Sequence, residues 1–354
     1  MHPQPARCPN TSCPYHREPR AGFCNRNGQY HPRCRNAPIA RFRCKRCRRS
    51  FSTQTFRIDY RDRLPHHNRA VLDLVVGGMS LRQVGRTLGI HNSTVQRKAS
   101  KFAKALLLLH QNLMRSLPTG KTYLLDEEET YEQKSIRTLT LPILIEKESW
   151  FIVATDVAPI RRLARKGTVR RRQQEAEERT KGKRPDESRV AVAAVLDTLA
   201  RATRGKSVSL ITDLKSSYAT IARRVLGGGL SGHHRVSSRL PRNRFNPLFP
   251  INTTNAMTRD HLARLRRRSW CVSKKGHRLK AHLALFTVYR NYVRPRFNSD
   301  REHQTPAERL GLLPRNLTFE EVLRWRQDWG ELSSHPMSAS GARPIRHASV
   351  TAEA

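Results

Sequence analysis

Six of the seven cysteines fall before residue 48. The segment that carries them, residues 1–57, is basic, rich in turn residues and poor in aliphatics, so it cannot bury a core of its own. A bound metal is the staple that clustered thiols provide. Cys8 and Cys13 form one pair; Cys44 and Cys47, in "FRCKRCRRSF", form the other. Between the pairs lie turn residues, notably "NRNGQYHP". The pattern is that of a zinc ribbon, two Cys-bearing knuckles on hairpins converging on one tetrahedral Zn²⁺. Cys24 and Cys34 leave the ligand set open, because either can replace Cys8 or Cys13. Clustering at one end argues against disulfides spread over a secreted fold and for reduced thiols.

The charge points to the partner. The chain has 68 Lys and Arg against 28 Asp and Glu, a formal net charge of +40. Such a field attracts a polyanion, and double-stranded DNA fits better than a membrane. No apolar run approaches the roughly 20 residues of a membrane span, and "MHPQPARCPN" lacks the apolar stretch of a secretory signal. The expected location is a bacterial cytoplasm, on the nucleoid. With 354 residues and 37% hydrophobic content, two or three domains with a modest core are expected.

Residues 62–115 read as helical. "HNRAVLDLVVGG" is an amphipathic helix that ends in a glycine pair. "SLRQVGRTLG" starts with a Ser N-cap and puts Leu81, Val84 and Leu88 on one face. A turn at Gly89 leads to a second helix with Ser93, Thr94, Gln96, Arg97 and Lys98 near its start. This is the layout of a helix-turn-helix, with those five residues facing base edges and phosphates.

From residue 121 the pattern changes to strands. "KTYLLDEEETYE", "IRTLTLPILIEKES" and "WFIVATDVAPI" predict an antiparallel meander of three. The basic insertion near 160–185 is expected to be exposed and mobile in its first part, and "RVAVAAVLDTLARAT" to be a helix. "SVSLITDLKSSYATIARRVL" adds a strand, an Asp and a helix. "GGGLSGHHRVSSRLPRNRFNPLFPINTTN" reads as irregular, with His233 and His234 on a flexible loop. A long helical region is expected from Thr254, and 335–354 as a disordered tail.

"YLLDEEETYE" is the one acidic cluster in a strongly basic chain. Alternation along a strand puts Asp126 and Glu128 on one face, Glu127 and Glu129 on the other. Asp213 likewise ends the apolar run "SLITD". Two carboxylates at strand ends suit Mg²⁺ or Mn²⁺, hard ions that need few protein ligands and serve phosphodiester chemistry. Taken singly, each is an ordinary turn Asp, as Asp156 in "VATDV" is expected to be.

In the order "FRCKRCRRSFST", "LLDEEETYE", "ITDLKSSYA", "INTTNAMTRDHLARLRRRSWCVSKK" and "TPAERLGLLPRNLTFEEVLRWRQ", the chain resembles bacterial insertion-sequence transposases of the DDE type. The likeness covers about residues 5–330. It implies an α/β architecture: an RNase H-like catalytic domain over 121–334, preceded by the zinc ribbon and the helix-turn-helix. It implies metal-dependent strand cleavage and transfer at element ends, on both element and target DNA, by a homo-oligomer assembled on DNA. By that resemblance Asp126 and Asp213 match the first two catalytic acids. The third position, normally Glu, falls on Asn252 in this register, with Asp260 as the alternative and an inactive copy as another. A DNA-binding regulator with a silent RNase H-like region, and a nuclease without strand transfer, are the competing readings.

Other residues read as structural. Trp150, Trp270, Tyr289 and Tyr292 are expected in packing, and Cys271 buried. Arg264, Arg266, Arg267 and Arg268 are expected on a late helix, in contact with phosphate.

Overall fold

The computed structural model describes residues 5–237, 239–241, 243–266, 271–298 and 300–329. The tail 335–354, Trp270, Arg267 and Arg268 lie outside these residues. The chain divides into two compact units: Met1–Asn68 with Glu320–Ala354, and Arg69–Phe319. Among the described residues no helix is long and apolar enough to cross a membrane.

The first unit has a short helix α1 (Pro14–Arg17) and three strands, β1 (Cys24–Tyr30), β2 (Ile39–Cys44) and β3 (Ser50–Ser52). They pair antiparallel in the order β1-β2-β3. On β1 only Cys24 is buried. The core is correspondingly small: Cys8, Cys13, Phe23, Cys24, Cys44 and Phe51. The late residues 320–329 close onto the same unit. The Ala6 N–H donates to Asp328 Oδ2 at 2.7 Å, and the Gln327 N–H to the Phe56 carbonyl at 2.9 Å. Arg326 and Asp328 form a buried ion pair.

The second unit opens with α2 (Asn68–Val76), α3 (Leu81–Thr87) and α4 (Asn92–Leu113). Ser80 caps α3, as the sequence predicts, and Gln83 completes a capping box with it. The turn into α4 is tight. Gly89 has φ +63°, and a Cβ on Gly85 would come within 2.8 Å of the Ile90 carbonyl, so neither position suits a larger residue. Val95, Ala99, Phe102, Leu106 and Leu109 bury one face of α4. That face packs on the later helix Gly276–Val288.

The strands are β4 (Thr122–Tyr131), β5 (Thr138–Glu146), β6 (Ile152–Thr155), β7 (Ala158–Pro159), β8 (Val208–Asp213) and β9 (Leu230–Val236). The sheet order is β6-β5-β4-β8-β9, with β7 beside β5. β4, β5 and β6 form the predicted antiparallel meander, while β8 joins β4 in parallel and β9 joins β8 in parallel. The whole is a mixed α/β structure. β5 is buried along its full length, although it contains Pro142. The Pro142 carbonyl accepts from the Asp156 N–H, so its missing N–H points to the same side. There the pairing partner changes from β6 to β7, which is why a proline is tolerated.

The remaining helices are α5 (Val169–Lys181), α6 (Ser188–Thr203), α7 (Ser216–Leu226), α8 (Phe249–His261), α9 (Gly276–Val288), α10 (Pro306–Arg309) and α11 (Phe319–Arg324). α6 covers one sheet face; α8 and α9 cover the other. On the α8 side the core joins Leu124, Leu141, Ile143 and Ile211 to Ile251, Leu279 and Phe286.

Four expectations change here. The basic insertion is ordered: α5 is capped by Thr168, and Arg161 makes a two-pronged contact with Glu178 at 2.8 Å. Residues 230–236 form a strand, so His233 and His234 lie on β9 and not in a loop. The late helix begins at Phe249. Cys271 is half-buried. Trp150 and Tyr292 do pack in the interior, and Tyr289 stacks on Phe319.

Candidate functional site

Two groups of side chains stand out, one in each unit. In the first unit each Cys pair sits on a turn built by its own backbone. The Cys8 N–H donates to the Tyr15 carbonyl and the Cys13 N–H to the Asn10 carbonyl, both at 3.0 Å. The Cys44 N–H reaches the Arg49 carbonyl at 3.0 Å, and Arg48 closes that turn at φ +61°. The four Sγ atoms of Cys8, Cys13, Cys44 and Cys47 all lie within 4.8 Å of one another. Cys8 and Cys47 are 3.5 Å apart, Cys13 and Cys44 3.8 Å. A tetrahedral site with metal–sulfur bonds of about 2.3 Å needs sulfurs about 3.8 Å apart, so the four are positioned as a metal site. Burial pushes the Cys8 and Cys13 thiols up. Burial also acts upward on Cys47, but hydrogen bonds from the Arg49 backbone and the Asn10 side chain outweigh it and bring it down to about 7.

Cys24 and Cys34 stay outside this cluster. Cys24 faces Cys44 across the β1–β2 pair. Cys34 is exposed, its thiol 3.5 Å from the Asp62 carbonyl.

In the second unit the acidic stretch is a strand, not a loop, and its acids are spread over both faces. Glu127 points to the α6 side, 2.7 Å from Lys215 Nζ and within reach of Ser188 and Thr140. Glu128 points to the α8 side and takes Thr258 Oγ1 at 2.8 Å and Arg259 at 3.4 Å. Glu129 pairs with Arg162, and Glu132 with Arg184 at 3.2 Å. Asp126 differs from all four: among the described residues it has no cationic partner. Its Oδ1 accepts the Glu127 N–H at 2.8 Å, and its Oδ2 accepts Asn255 Nδ2 at 2.9 Å.

Asp213 is its neighbour. Leu125 and Thr212 are register partners on parallel strands, and each is followed by an Asp. Leu124 and Ile211 both belong to the α8-side core. Two residues further along each strand returns to the same face, so Asp126 and Asp213 share it. Asp213 Oδ1 accepts the Lys215 N–H at 2.9 Å; among the described residues it too has no ion pair. Burial, with Asp213 and Glu127 nearby, holds the Asp126 carboxyl above the usual range, against the hydrogen bonds from Glu127 and Asn255. Two adjacent carboxylates without a counter-cation, in a chain of charge +40, leave room for a cation from outside.

The third wall is α8. Asn255, 5% exposed, is the residue that touches Asp126. Its Oδ1 is buried and has no hydrogen-bond partner among the described residues. Asn252 is half-buried and lies one turn earlier, about 60° around and about 4.5 Å along the helix, so it shares that side. Asp260 is exposed, about 140° around the helix from Asn255, and so stands off the face that meets Asp126. The donor set facing the gap is thus two carboxylates and up to two amide oxygens, all hard oxygen ligands of the kind Mg²⁺ and Mn²⁺ take. Sequence reading missed Asn255; its place three residues after Asn252 was the available signal.

The helical segment contributes a basic face, though not the one expected. Ser93 and Arg97 are exposed, and Lys101 and Lys104 continue that stripe. Thr94 is half-exposed beside Arg97. Gln96 turns inward, its Oε1 near Arg264 and Arg278 at 3.5 and 3.4 Å. Lys98 is 3% exposed, which removes it from any phosphate-facing surface. Arg264 packs against His282 and Gln96 in a short turn, not on a late helix. His233 Nε2 contacts Thr212 Oγ1 at 2.9 Å. No family model matches the chain, and no curated protein matches it.

Proposed function

We propose that the chain is a DNA transposase of the DDE type, cutting and joining DNA strands at the ends of an insertion sequence. The observation that carries this reading is the Asp126–Asp213 pair. These acids share one face of neighbouring parallel strands, Asp126 in the middle of β4 and Asp213 at the end of β8, with no ion pair among the described residues of a basic chain and an amide wall opposite. The strand order, three antiparallel strands then two parallel ones with helices on both faces, supports an RNase H-like domain. The four-thiol cluster supports a structural Zn²⁺ in a ribbon, and the exposed stripe of Ser93, Arg97, Lys101 and Lys104 supports a helix-turn-helix on duplex DNA. Charge and the resemblance together favour a nucleoid location and an oligomer assembled on DNA.

In this reading Asp126 and Asp213 would hold Mg²⁺ or Mn²⁺, with Asn255 or Asn252 offering an amide oxygen. A divalent ion bound there would activate the attacking oxygen and stabilise the leaving one. Asn255 fixes the Asp126 carboxylate by its amide N–H. Glu127, turned away and neutralised by Lys215, keeps that lysine against the sheet end. The basic surface draws the phosphates in.

The test is nicking of end-containing duplex in Mg²⁺ and Mn²⁺. Asp126→Asn and Asp213→Asn should each abolish nicking and leave duplex binding unchanged. Normal nicking by both variants would remove the catalytic reading. Joining of a cut end to a second DNA separates a transposase from a nuclease. A second reading, a DNA-binding regulator with a silent catalytic domain, is favoured by the amide where the third acid is expected at Asn252. Asn252→Glu distinguishes them: nicking that appears only with the restored carboxylate assigns the native chain to the regulator.

A further inference from the structure

The segment between β9 and α8 joins the strand beside Asp213 to the helix that touches Asp126. It leaves β9 at Val236, which pairs with Asp213. It enters α8, the helix that carries Asn252 and Asn255, through Leu248 and Phe249. Val236 and Leu248 are both buried in the α8-side core, so both ends are anchored. The middle is held as well. Asn246 is buried; its Nδ2 donates to the Pro241 carbonyl at 2.9 Å, and its Oδ1 accepts the Leu248 N–H at 2.8 Å. Asn243 Oδ1 accepts the Phe245 N–H at 3.1 Å.

This braced loop pushes an aromatic ring into solvent. Phe245 is 76% exposed, and Leu240, five residues earlier, is exposed as well. One side of the ring is met by the Arg244 guanidinium, 4.9 Å from its centroid. Arg239 is exposed on the same connection, and Arg235 is exposed at the end of β9 that leads into it. No Asp or Glu occurs between Asp213 and Asp260. An apolar ring backed by a guanidinium, within an acid-free basic stretch, has the chemistry of a stacking platform for an unpaired base whose phosphates the arginines hold.

We propose that Phe245 stacks on an unpaired base of single-stranded or locally opened DNA at the candidate site, with Arg244 bracing the ring. The role assigned to this base rests on the transposase reading, since strand cleavage at a DNA end gains from an opened, held base. A single strand, rather than a second protein, is the occupant that the surrounding charge selects.

The experiment uses the full chain at fixed salt and oligonucleotides that carry 2-aminopurine, whose fluorescence falls when it stacks. Wild type should quench 2-aminopurine in a single strand. Phe245→Ala should abolish the quench and weaken single-strand binding about tenfold, while blunt duplex binding changes less than about twofold. Phe245→Trp should restore both signals, which a merely disrupted loop would not allow. Unchanged quenching and affinity in Phe245→Ala would overturn the proposal. So would a change in the sedimentation of the free protein, since Phe245 would then be a protein contact. Nicking measured alongside keeps the two ideas apart: quenching without any nicking sinks the transposase reading alone, and Asp126-dependent nicking with no effect of Phe245→Ala sinks the stacking alone.

Discussion

The two compact units solve the same problem by different means. Arg69–Phe319 buries a core of Leu, Ile and Phe drawn from both sheet and helices. The unit that contains Met1–Asn68 has a core whose members are mostly thiols and three phenylalanines. Apolar burial stabilises Arg69–Phe319 without help from a ligand. The Cys-bearing unit places four sulfurs together, three of them buried, an arrangement that a bound metal would stabilise. The difference teaches which parts of this molecule carry their own stability.

The largest test of this contrast is metal removal. Chelation, or Cys44→Ser, should unfold the first unit and leave the second intact, because ligand binding in such sites is folding free energy of about 10 kcal/mol or more. Hydrogen exchange read by region would show protection lost in residues 24–52 and retained in 122–146. Equal protection in both after chelation would end the comparison. The converse test is smaller. Ile143 is fully buried in the centre of β5, so Ile143→Ala should cost about 2–5 kcal/mol. Denaturant unfolding should shift for the second unit only, at unchanged metal content.

What the sequence made legible follows from how local each signal is. The Cys44/Cys47 turn depends on neighbouring residues, and its spacing was readable. Asp126 and Asp213 were readable because each ends an apolar run, and strand alternation assigns the face without further knowledge. The rotation of α8 was not: whether Asn252, Asn255 or Asp260 meets β4 is fixed by packing of Ile251 and Leu262 into the core, not by spacing alone. β9 escaped because "LSGHHRV" is an edge strand with one buried residue. Lys98 misled because α4 does two jobs, and the face that packs inward includes that lysine. The return of Asp328 to Ala6 joins residues 322 apart, a contact no local pattern encodes.

Acid should separate a histidine effect in the second unit from metal loss in the first. His110 is buried, with Nε2–H donating to the Val153 carbonyl at 3.0 Å and Nδ1 accepting from Tyr292 Oη at 2.8 Å. Burial lowers its pKa to about 4. Burial and Arg264 lower His282 to about 3. A folded pKa below the unfolded one means that the unfolded chain takes the proton first. The stability is therefore complete above about pH 6.5 and falls as pH drops toward 4, by about 3 kcal/mol for His110. With the first unit kept apo, urea unfolding of the second should show this slope, and His110→Gln should flatten it. An unchanged slope in that variant would assign the acid sensitivity elsewhere.

The smallest effect settles which thiols matter. Cys34 is exposed and outside the cluster, and Cys24 is buried but faces Cys44 across the sheet. If four-sulfur geometry alone selects the ligands, Cys34→Ser should leave one metal per chain and change stability by less than about 0.5 kcal/mol. Cys24→Ser should also keep the metal but cost more, since a hydroxyl replaces a buried thiol among Phe23 and Phe51. Alkylation of the metal-bound chain sharpens the point: Cys34 should react first, because its sulfur is neither ligated nor covered, while Cys8, Cys13, Cys44 and Cys47 should react only after chelation. Mass spectrometry of the labelled peptides reads this residue by residue. Loss of metal in Cys34→Ser, with any one of the four ligands dispensable, would put Cys34 into the site and mean that the first unit is held by a different set of sulfurs.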